Sequence, residues 1–213
     1  MKQQILALVA AIALPLSMNA QNAAGSGTTI GGMQRAEFDR INADGAAKVS
    51  AIQPTQTPLS EGDKKLFMQM AQGGMMQLQV SQAAMPKVGD EEVRVLAQSE
   101  VEEQTGLSQK LTEIAAAKGM TMPAEPAPGT AAILKQMEAK SDKQLDAYYI
   151  RTSGVDGHKK LEATMTTVSS NAKDPALKAV AAAALPLIRT HLRVSKNVSG
   201  RVGGMSAKKT GGR

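Results

Sequence analysis

The stretch DEEVRVLAQSEVEEQTGLSQKLTEIAAAKG, residues 90–119, gives the clearest indication of the fold. Asp90 is a typical N-cap residue, and the two glutamates after it favour the positive end of a helix dipole. Apolar side chains then recur every three or four residues, the periodicity of one helix face. That face carries Val93, Leu96, Ala97, Val101, Gln104, Leu107, Leu111, Ile114 and Ala115. Gly119 suits a left-handed C-cap, so the pattern predicts a long amphipathic helix.

Three further long helices are predicted from the same kind of signal. Capping side chains, or a proline at the first helical position, occur at Ser60, Ser141 and Asp174-Pro175. The third helix carries His158 on its apolar face, and the fourth carries His191. Amphipathic helices of this length, joined by short connections, pack as an antiparallel bundle. We therefore predict an all-α fold with an antiparallel four-helix bundle over residues 59–198.

The composition agrees with a helical core that has no covalent cross-links. The chain has 213 residues, no cysteine, 13 methionines and 2% aromatic residues. Core volume must therefore come from alanine, leucine, valine and methionine, and alanine, leucine and methionine favour helices. The segments that flank the bundle, residues 21–58 and 199–213, are predicted to be flexible because they are rich in small and polar residues.

The first twenty residues have the layout of a secretory signal peptide. Lys2 gives a positive start, an apolar run follows from Ile5 to Leu16, and small residues surround a cleavage point after Ala20. A membrane anchor is the alternative, but this run is shorter than the roughly 18 apolar residues of a spanning helix. We expect an exported protein, periplasmic or associated with the outer membrane, with no integral membrane span after cleavage.

The C-terminal end of the chain is basic. No aspartate or glutamate follows Asp174, whereas the segment 199–213 carries four cations, Arg201, Lys208, Lys209 and Arg213. These are candidates for contact with an anionic envelope surface, where each cation contributes about 1 kcal/mol. Nucleic acid is not an expected partner of an exported protein.

Residues 38–50, FDRINADGAAKVS, look like half of a degenerate EF-hand. Asn42 and Asp44 fit the first two ligand positions of the calcium loop, and Ser50 fits a later one. Ala46 takes the place of a third ligand, and Gln53 takes the place of the bidentate glutamate. We expect calcium binding to be very weak or absent, and a chance similarity is the alternative.

Several short motifs in a fixed order resemble a bacterial family of exported proteins of unknown function. Members have a ferritin-like four-helix bundle and are often labelled putative outer membrane proteins. The matching pieces are LSEGDKKLF at 59–67, AQGG at 71–74, AAAKGMTMP at 115–123, LDAYY at 145–149, VDGH at 155–158, and Leu185-Pro186 with His191-Leu192. The resemblance implies inward-facing polar residues, including glutamate on the first helix and histidine on the second.

The polar residues that remain leave the chemistry open. Gln77, Gln79 and Gln104 stand where the resemblance implies glutamate or histidine, and no Glu-x-x-His motif of a di-iron bundle is present. A partial iron site is one alternative, with His158, His191 and Glu162 as ligands. A polar core network containing Glu100 and Gln104 is another. Copper bound by thioethers is a third, because methionines cluster at Met68, Met70, Met120 and Met122.

Two function hypotheses follow. The first is a non-enzymatic envelope protein without a cofactor, because no nucleophile is paired with a base and no phosphate-binding loop is present. The second is a metal-binding ferritin-like bundle that uses iron or copper at a partly eroded site. The sequence gives no prediction of oligomeric state.

Overall fold

The computed structural model describes residues 28–208, with side chains to residue 203, and these residues form an all-α bundle. The fold class predicted from the sequence is therefore confirmed. A two-stranded antiparallel hairpin precedes the helices and pairs Ile30 with Met33. In chain order the elements are β1 Thr29–Ile30, β2 Met33–Gln34, α1 Arg35–Ser50, α2 Glu61–Ala84, α3 Glu91–Ala117, α4 Thr130–Glu138, α5 Asp142–Tyr149, a π-helical segment Ile150–Gly157, α6 His158–Asn171 and α7 Pro175–Lys208.

Contacts at one end of the bundle give the directions of the helices. Asp63, in the first turn of α2, accepts hydrogen bonds from the backbone N–H groups of Lys173 and Asp174, which join α6 to α7. Lys118, at the end of α3, lies 2.5 Å from the Asp174 carboxylate. The starts of α2 and α7 therefore meet the ends of α3 and α6, so neighbouring helices run antiparallel.

The opposite end has matching connections. The Asp146 carboxylate of α5 accepts from the backbone N–H groups of Gly89 and Asp90, before α3. Arg201 of α7 contacts Asp90 and Glu92 at 2.7 and 2.9 Å. These bonds close the second end around the start of α3, the start of α5 and the later turns of α7.

Most of the predicted helix boundaries have the expected chemistry. The Ser60 hydroxyl accepts from Asp63 N–H, and Asp90 accepts from two N–H groups in the first turn of α3. Gly119 has a φ of 65°, the left-handed conformation that glycine tolerates best. Ser141 is an exception, because its side chain makes no capping hydrogen bond.

A polar layer divides the hydrophobic core into two clusters. One cluster contains Phe67, Leu111, Ile114, Met165 and Leu177, and the other contains Phe38, Val93, Leu145, Ile150 and Val198. Each long helix crosses from one cluster to the other near its middle. The buried polar residues at these crossings are Gln77, Glu100, Gln104, Ser153, His158 and His191. This layer is the candidate functional centre, because burial of polar groups costs free energy unless they are hydrogen-bonded or paired.

The π-helical segment allows close approach of the third long helix to its neighbours. A Cβ atom on Gly157 would lie 2.5 Å from Gln77 Oε1, and one on Gly154 would lie 2.8 Å from Ser195 Oγ. Any larger residue at either position would force these neighbouring side chains to move, so glycine suits both positions. Short π-helical insertions are frequent at functional sites, and this one leads directly into His158.

The segments that flank the predicted bundle contain more regular structure than the sequence indicated. The degenerate EF-hand has no loop, because α1 is a continuous helix that packs against α3 and α7. The hairpin and α1 also occupy much of the predicted linker 21–58. At the other end, α7 continues to Lys208, where a disordered tail was predicted from residue 199. The predicted signal peptide lies outside the described residues, and no helix among those described is long and apolar enough to cross a membrane.

Candidate metal centre

Four side chains from three helices converge in the polar layer. They are Glu100 and Glu103 of α3, His158 of α6 and His191 of α7. Each offers one ligand atom, and these atoms all lie within 4.8 Å of one another. The side chains are 0–6% exposed, so the cluster is nearly sealed from solvent.

The two carboxylates share a helix face because residues three apart are neighbours on an α-helix. Glu100 Oε2 lies 2.8 Å from His158 Nε2 and 3.4 Å from His191 Nδ1. Glu103 Oε2 lies 3.2 Å from the same His191 nitrogen. One oxygen from each carboxylate therefore faces an imidazole nitrogen.

The tautomer of His158 is set by a backbone carbonyl. Its Nδ1 lies 3.1 Å from the carbonyl oxygen of Ser153, which can only accept a hydrogen bond. Nδ1 must therefore carry the proton, and in the neutral ring Nε2 holds a lone pair. That lone pair faces the Glu100 carboxylate.

The tautomer of His191 is set by an amide on α1. Asn42 Nδ2 donates to the carbonyl oxygen of Phe38 at 2.8 Å, which fixes the orientation of the amide. Asn42 Oδ1 then lies 2.7 Å from His191 Nε2 and accepts its proton. In the neutral ring Nδ1 is left as a lone pair that faces Glu100 and Glu103. The Phe38 ring stacks on the His191 ring, with centroids 5.2 Å apart.

Two amides and a hydroxyl hold the carboxylates and the π-helical segment in place. Gln104 Nε2 donates to Oε1 of Glu100 at 3.1 Å and to Oε1 of Glu103 at 3.4 Å. Gln77 Nε2 donates to Glu100 Oε1 at 3.4 Å, and the Ser153 hydroxyl donates to Gln77 Oε1. The Oε1 atoms are therefore partnered, and the two Oε2 atoms point towards the imidazoles.

Without a metal ion, the charge of the cluster depends on which of its four side chains carry a proton. Burial would lower the pKa of His158, but the Glu100 carboxylate outweighs it and raises the pKa to about 9. Burial opposes the charge on Glu100, but the two histidines hold its pKa well below the usual range. Burial and the charge of Glu100 raise the pKa of Glu103, and burial lowers the pKa of His191. His158 and Glu100 therefore form an ion pair at neutral pH, whereas burial favours the neutral forms of Glu103 and His191.

The donor set fits a transition-metal ion. Two imidazole nitrogens and two carboxylate oxygens are ligands of zinc, iron and related divalent ions, at about 2.0–2.2 Å from the metal. Ligand atoms on opposite sides of an ion are then about 4.4 Å apart at most, so the observed span of 4.8 Å requires only a small contraction. Among the described residues, His158 Nε2 and Glu103 Oε2 have no hydrogen-bond partner. The 2.8 Å contact of His158 Nε2 with Glu100 lacks hydrogen-bond alignment.

The ligand set differs from the one predicted by sequence. His158 and His191 lie in the cluster, but Glu162 lies at the surface, 2.8 Å from Arg189 of α7. Glu103 was not among the predicted ligands. Its spacing of three residues from Glu100 was the signal that identifies it. Gln104 is buried and hydrogen-bonds to Glu100, its predicted companion in a polar core network, and to Glu103, both on its own helix.

The other predicted site residues do not form the expected sites. Asp44 pairs with Arg40, and the Ser50 hydroxyl donates to the Ala47 carbonyl, so with Asn42 they do not surround a calcium ion. The partly buried Met68, Met120 and Met122 pack on the first core cluster, as does the buried Met70. Arg201 is held by two carboxylates. The side chain of Lys208, and Lys209 and Arg213 entirely, lie outside the described residues.

A protein-family model matches most of the bundle. It is described as a domain of unknown function, DUF4142, and covers residues 48–198. No curated protein and no solved structure matches the chain. The matched region contains all four residues of the cluster, whereas Asn42 and most of α1 precede it.

Proposed function

This chain belongs to the DUF4142 family, a domain of unknown function, and we propose that it binds one divalent transition-metal ion. The ligands are Glu100, Glu103, His158 and His191. One observation carries the proposal: both histidines are fixed by an outer hydrogen bond in the tautomer whose inner nitrogen faces a carboxylate. Two lone pairs that face each other repel unless a cation or a proton lies between them.

The same outer bonds are those that support metal ligands in proteins. A ligating histidine usually donates its other N–H group to a carbonyl or carboxylate oxygen, which orients the ring and makes it a better ligand. Ser153 and Asn42 play this part for the two imidazoles. Metal binding would displace the proton of His158, and the raised pKa of Glu103 favours a second displaceable proton on that carboxylate.

The ligand types favour zinc, iron(II), cobalt(II) or manganese(II) over copper(I). Copper(I) prefers thiolate and thioether ligands, and the cluster offers imidazole and carboxylate instead. The position of the ligands in the middle of a helical bundle supports the resemblance to ferritin-like proteins. The proposed role is binding without catalysis, which keeps the prediction of a non-enzymatic protein.

Metal titration of the purified protein tests the proposal. We expect Zn(II) or Co(II) to bind with a stoichiometry of one, measured by calorimetry and by metal analysis after gel filtration. Glu103→Gln keeps the shape of the protonated side chain, so it should fold but lose most of the affinity. Glu162→Gln is the matched control, because that glutamate lies at the surface. No stoichiometric binding of any of the four ions, or equal binding by Glu103→Gln, would overturn the proposal.

We also keep export and contact with an anionic envelope surface as a second proposal. It rests on the N-terminal sequence and on the absence of acidic residues after Asp174. Because Arg201 is already paired, the candidates are Lys208, Lys209 and Arg213. Changing these three residues to glutamine should weaken sedimentation with vesicles that contain phosphatidylglycerol, and salt should weaken it in the unchanged protein. Equal sedimentation of the variant at low salt would reject the proposal.

A further inference from the structure

A cleft beside the cluster connects it to the surface. The cleft has a volume of about 440 Å³ and lies between α1 and α3, with α7 as its floor. Glu103 and Asn42 both line it, so one proposed ligand and one supporting residue face its interior. The Glu103 side chain is 6% exposed, and its Oε2 atom is buried without a hydrogen-bond partner among the described residues.

The other three ligands are closed off more completely. The side chains of Glu100, His158 and His191 are 1%, 3% and 0% exposed. An ion that arrives from solvent therefore reaches Glu103 first. The path from the cleft to the two imidazoles passes the Glu103 carboxylate.

The charges on the cleft walls favour a cation. Arg35 is paired with Asp39, and Lys110 is paired with Glu113, so these four residues largely neutralise one another. Two further carboxylates line the cleft, Glu103 and Glu102. Glu102 is exposed and accepts a hydrogen bond from the neutral amide of Gln98. Glu102 therefore leaves a local excess of negative charge at the mouth of the cleft even when Glu103 is protonated, although the whole chain has a formal net charge of +6.

Several small residues line the cleft and leave its interior unfilled. Gly106 lies in the middle of α3, and a Cβ atom added to it would meet nothing within 4 Å. Glycine in a helix interior reduces stability, and no neighbouring atom requires glycine here, so the position adds open space to the cleft. Ala43 and Ala46 of α1 and Ala184 of α7 line the same space.

We propose that this cleft is the entry route by which a hydrated divalent cation reaches the centre. The negative charge of Glu102 attracts the ion to the mouth of the cleft. The Glu103 carboxylate then replaces part of the hydration shell, and the imidazoles bind the ion last. The inference rests on the proposed metal binding and adds the path and the order of contacts. Residues 35–47 of α1, which form one wall, precede the region that the family model matches.

The rate of Co(II) uptake tests the route. Stopped-flow absorbance at the cobalt d–d bands follows loading of the metal-free protein. Gly106→Phe should slow loading about tenfold, as expected when entry requires a conformational change. Release should slow by a similar factor, so the equilibrium Kd should stay close to that of the unchanged protein. Gly106→Ala leaves the cleft open and should load at the normal rate.

Charge variants test the mouth of the cleft separately. Glu102→Gln should slow loading about threefold at low ionic strength, and the difference should vanish at high salt. Glu138→Gln makes the same charge change on α4, away from the cleft, and should have no effect. Ala46 is exposed on α1, the wall opposite Gly106, so Ala46→Phe should also narrow the cleft. This variant replaces Gly106→Phe in the uptake measurement if Gly106→Phe does not fold.

The possible outcomes distinguish failure of the proposed metal binding from failure of the proposed entry route. If the unchanged protein binds no Co(II), the proposed function fails. If it binds Co(II) but both phenylalanine variants load at the normal rate, the metal centre stands and the entry route is overturned. Slow loading at an unchanged Kd supports the route, because damage to the centre itself would change the Kd.

Discussion

His191 Nε2 lies 2.7 Å from Asn42 Oδ1, and the two residues are 149 positions apart in the chain. The bond joins α7 to α1 beside the cluster of Glu100, Glu103, His158 and His191. Since the Asn42 amide is itself fixed by the Phe38 carbonyl, the bond determines which nitrogen of His191 is free for a metal. A residue predicted as a remnant of a calcium loop thus has a different position and a different partner.

Loss of this bond should weaken metal binding without removing a ligand. Asn42→Leu removes the acceptor, so His191 is free to adopt the other tautomer and other ring orientations. We expect the affinity for Zn(II) to fall about 10- to 100-fold, the usual effect of losing such a supporting residue. Competition with a chromophoric chelator measures the change. Asp44→Asn, an exposed change on the same helix, should have no effect, and equal affinity of Asn42→Leu would contradict the role of Asn42.

Metal binding should weaken steeply on acidification. Burial would lower the pKa of His158, but Glu100 raises it to about 9, and burial together with Glu100 raises the pKa of Glu103, so both side chains favour the protonated form in the absence of metal. A divalent ion that takes all four ligands releases both protons. The affinity should then fall by up to about 100-fold for each pH unit between pH 7.5 and 6. Calorimetry in buffers with different heats of ionisation counts the protons, and a count near zero would exclude this ligand set.

Gly157 and Gly106 should respond in opposite ways to substitution by alanine. Gly157→Ala places a methyl group 2.5 Å from Gln77 Oε1, and this overpacking should reduce the free energy of unfolding by about 1–3 kcal/mol. Gly106→Ala meets no atom and should increase it by about 0.5–1 kcal/mol. Urea denaturation of the two variants and the unchanged protein measures both effects. Similar stabilities for the two variants would mean that Gly157 is not required for packing.

The ion pair between α7 and the start of α3 should contribute to stability above acidic pH. The hydrogen bonds of Arg201 lower the pKa of Asp90. A carboxyl with a lowered pKa stabilises the fold fully above its unfolded value, about 3.9, and loses this contribution as pH falls through its folded value. Arg201→Gln should reduce the free energy of unfolding at pH 7 by roughly 0.2–1 kcal/mol, because the pair is partly exposed. The difference between the two proteins should shrink below pH 4 in denaturant titrations, and a difference that grows there would reverse the assignment.

The helices were predictable because their signals are local. Ser60, Asp90 and Gly119 act within a few residues of where they stand, and apolar periodicity marks each long helix. The centre was only partly predictable, because its geometry depends on contacts between distant segments. Glu162 is one turn from His158 but rotated enough to reach Arg189 at the surface. The partnership of Asn42 with His191 has no local signal at all.

The position of His191 on the final helix has a consequence for how the protein matures. During synthesis the chain carries Glu100, Glu103 and His158 well before its last ligand, and a metal site is rarely preformed in an unfolded chain. Under the proposed metal binding, uptake of the ion would therefore follow the docking of α7 and the packing of α1 against it. An incompletely synthesised or partly unfolded chain would then contain no metal ion. The presence of the bound ion would indicate that the whole chain has reached its native state.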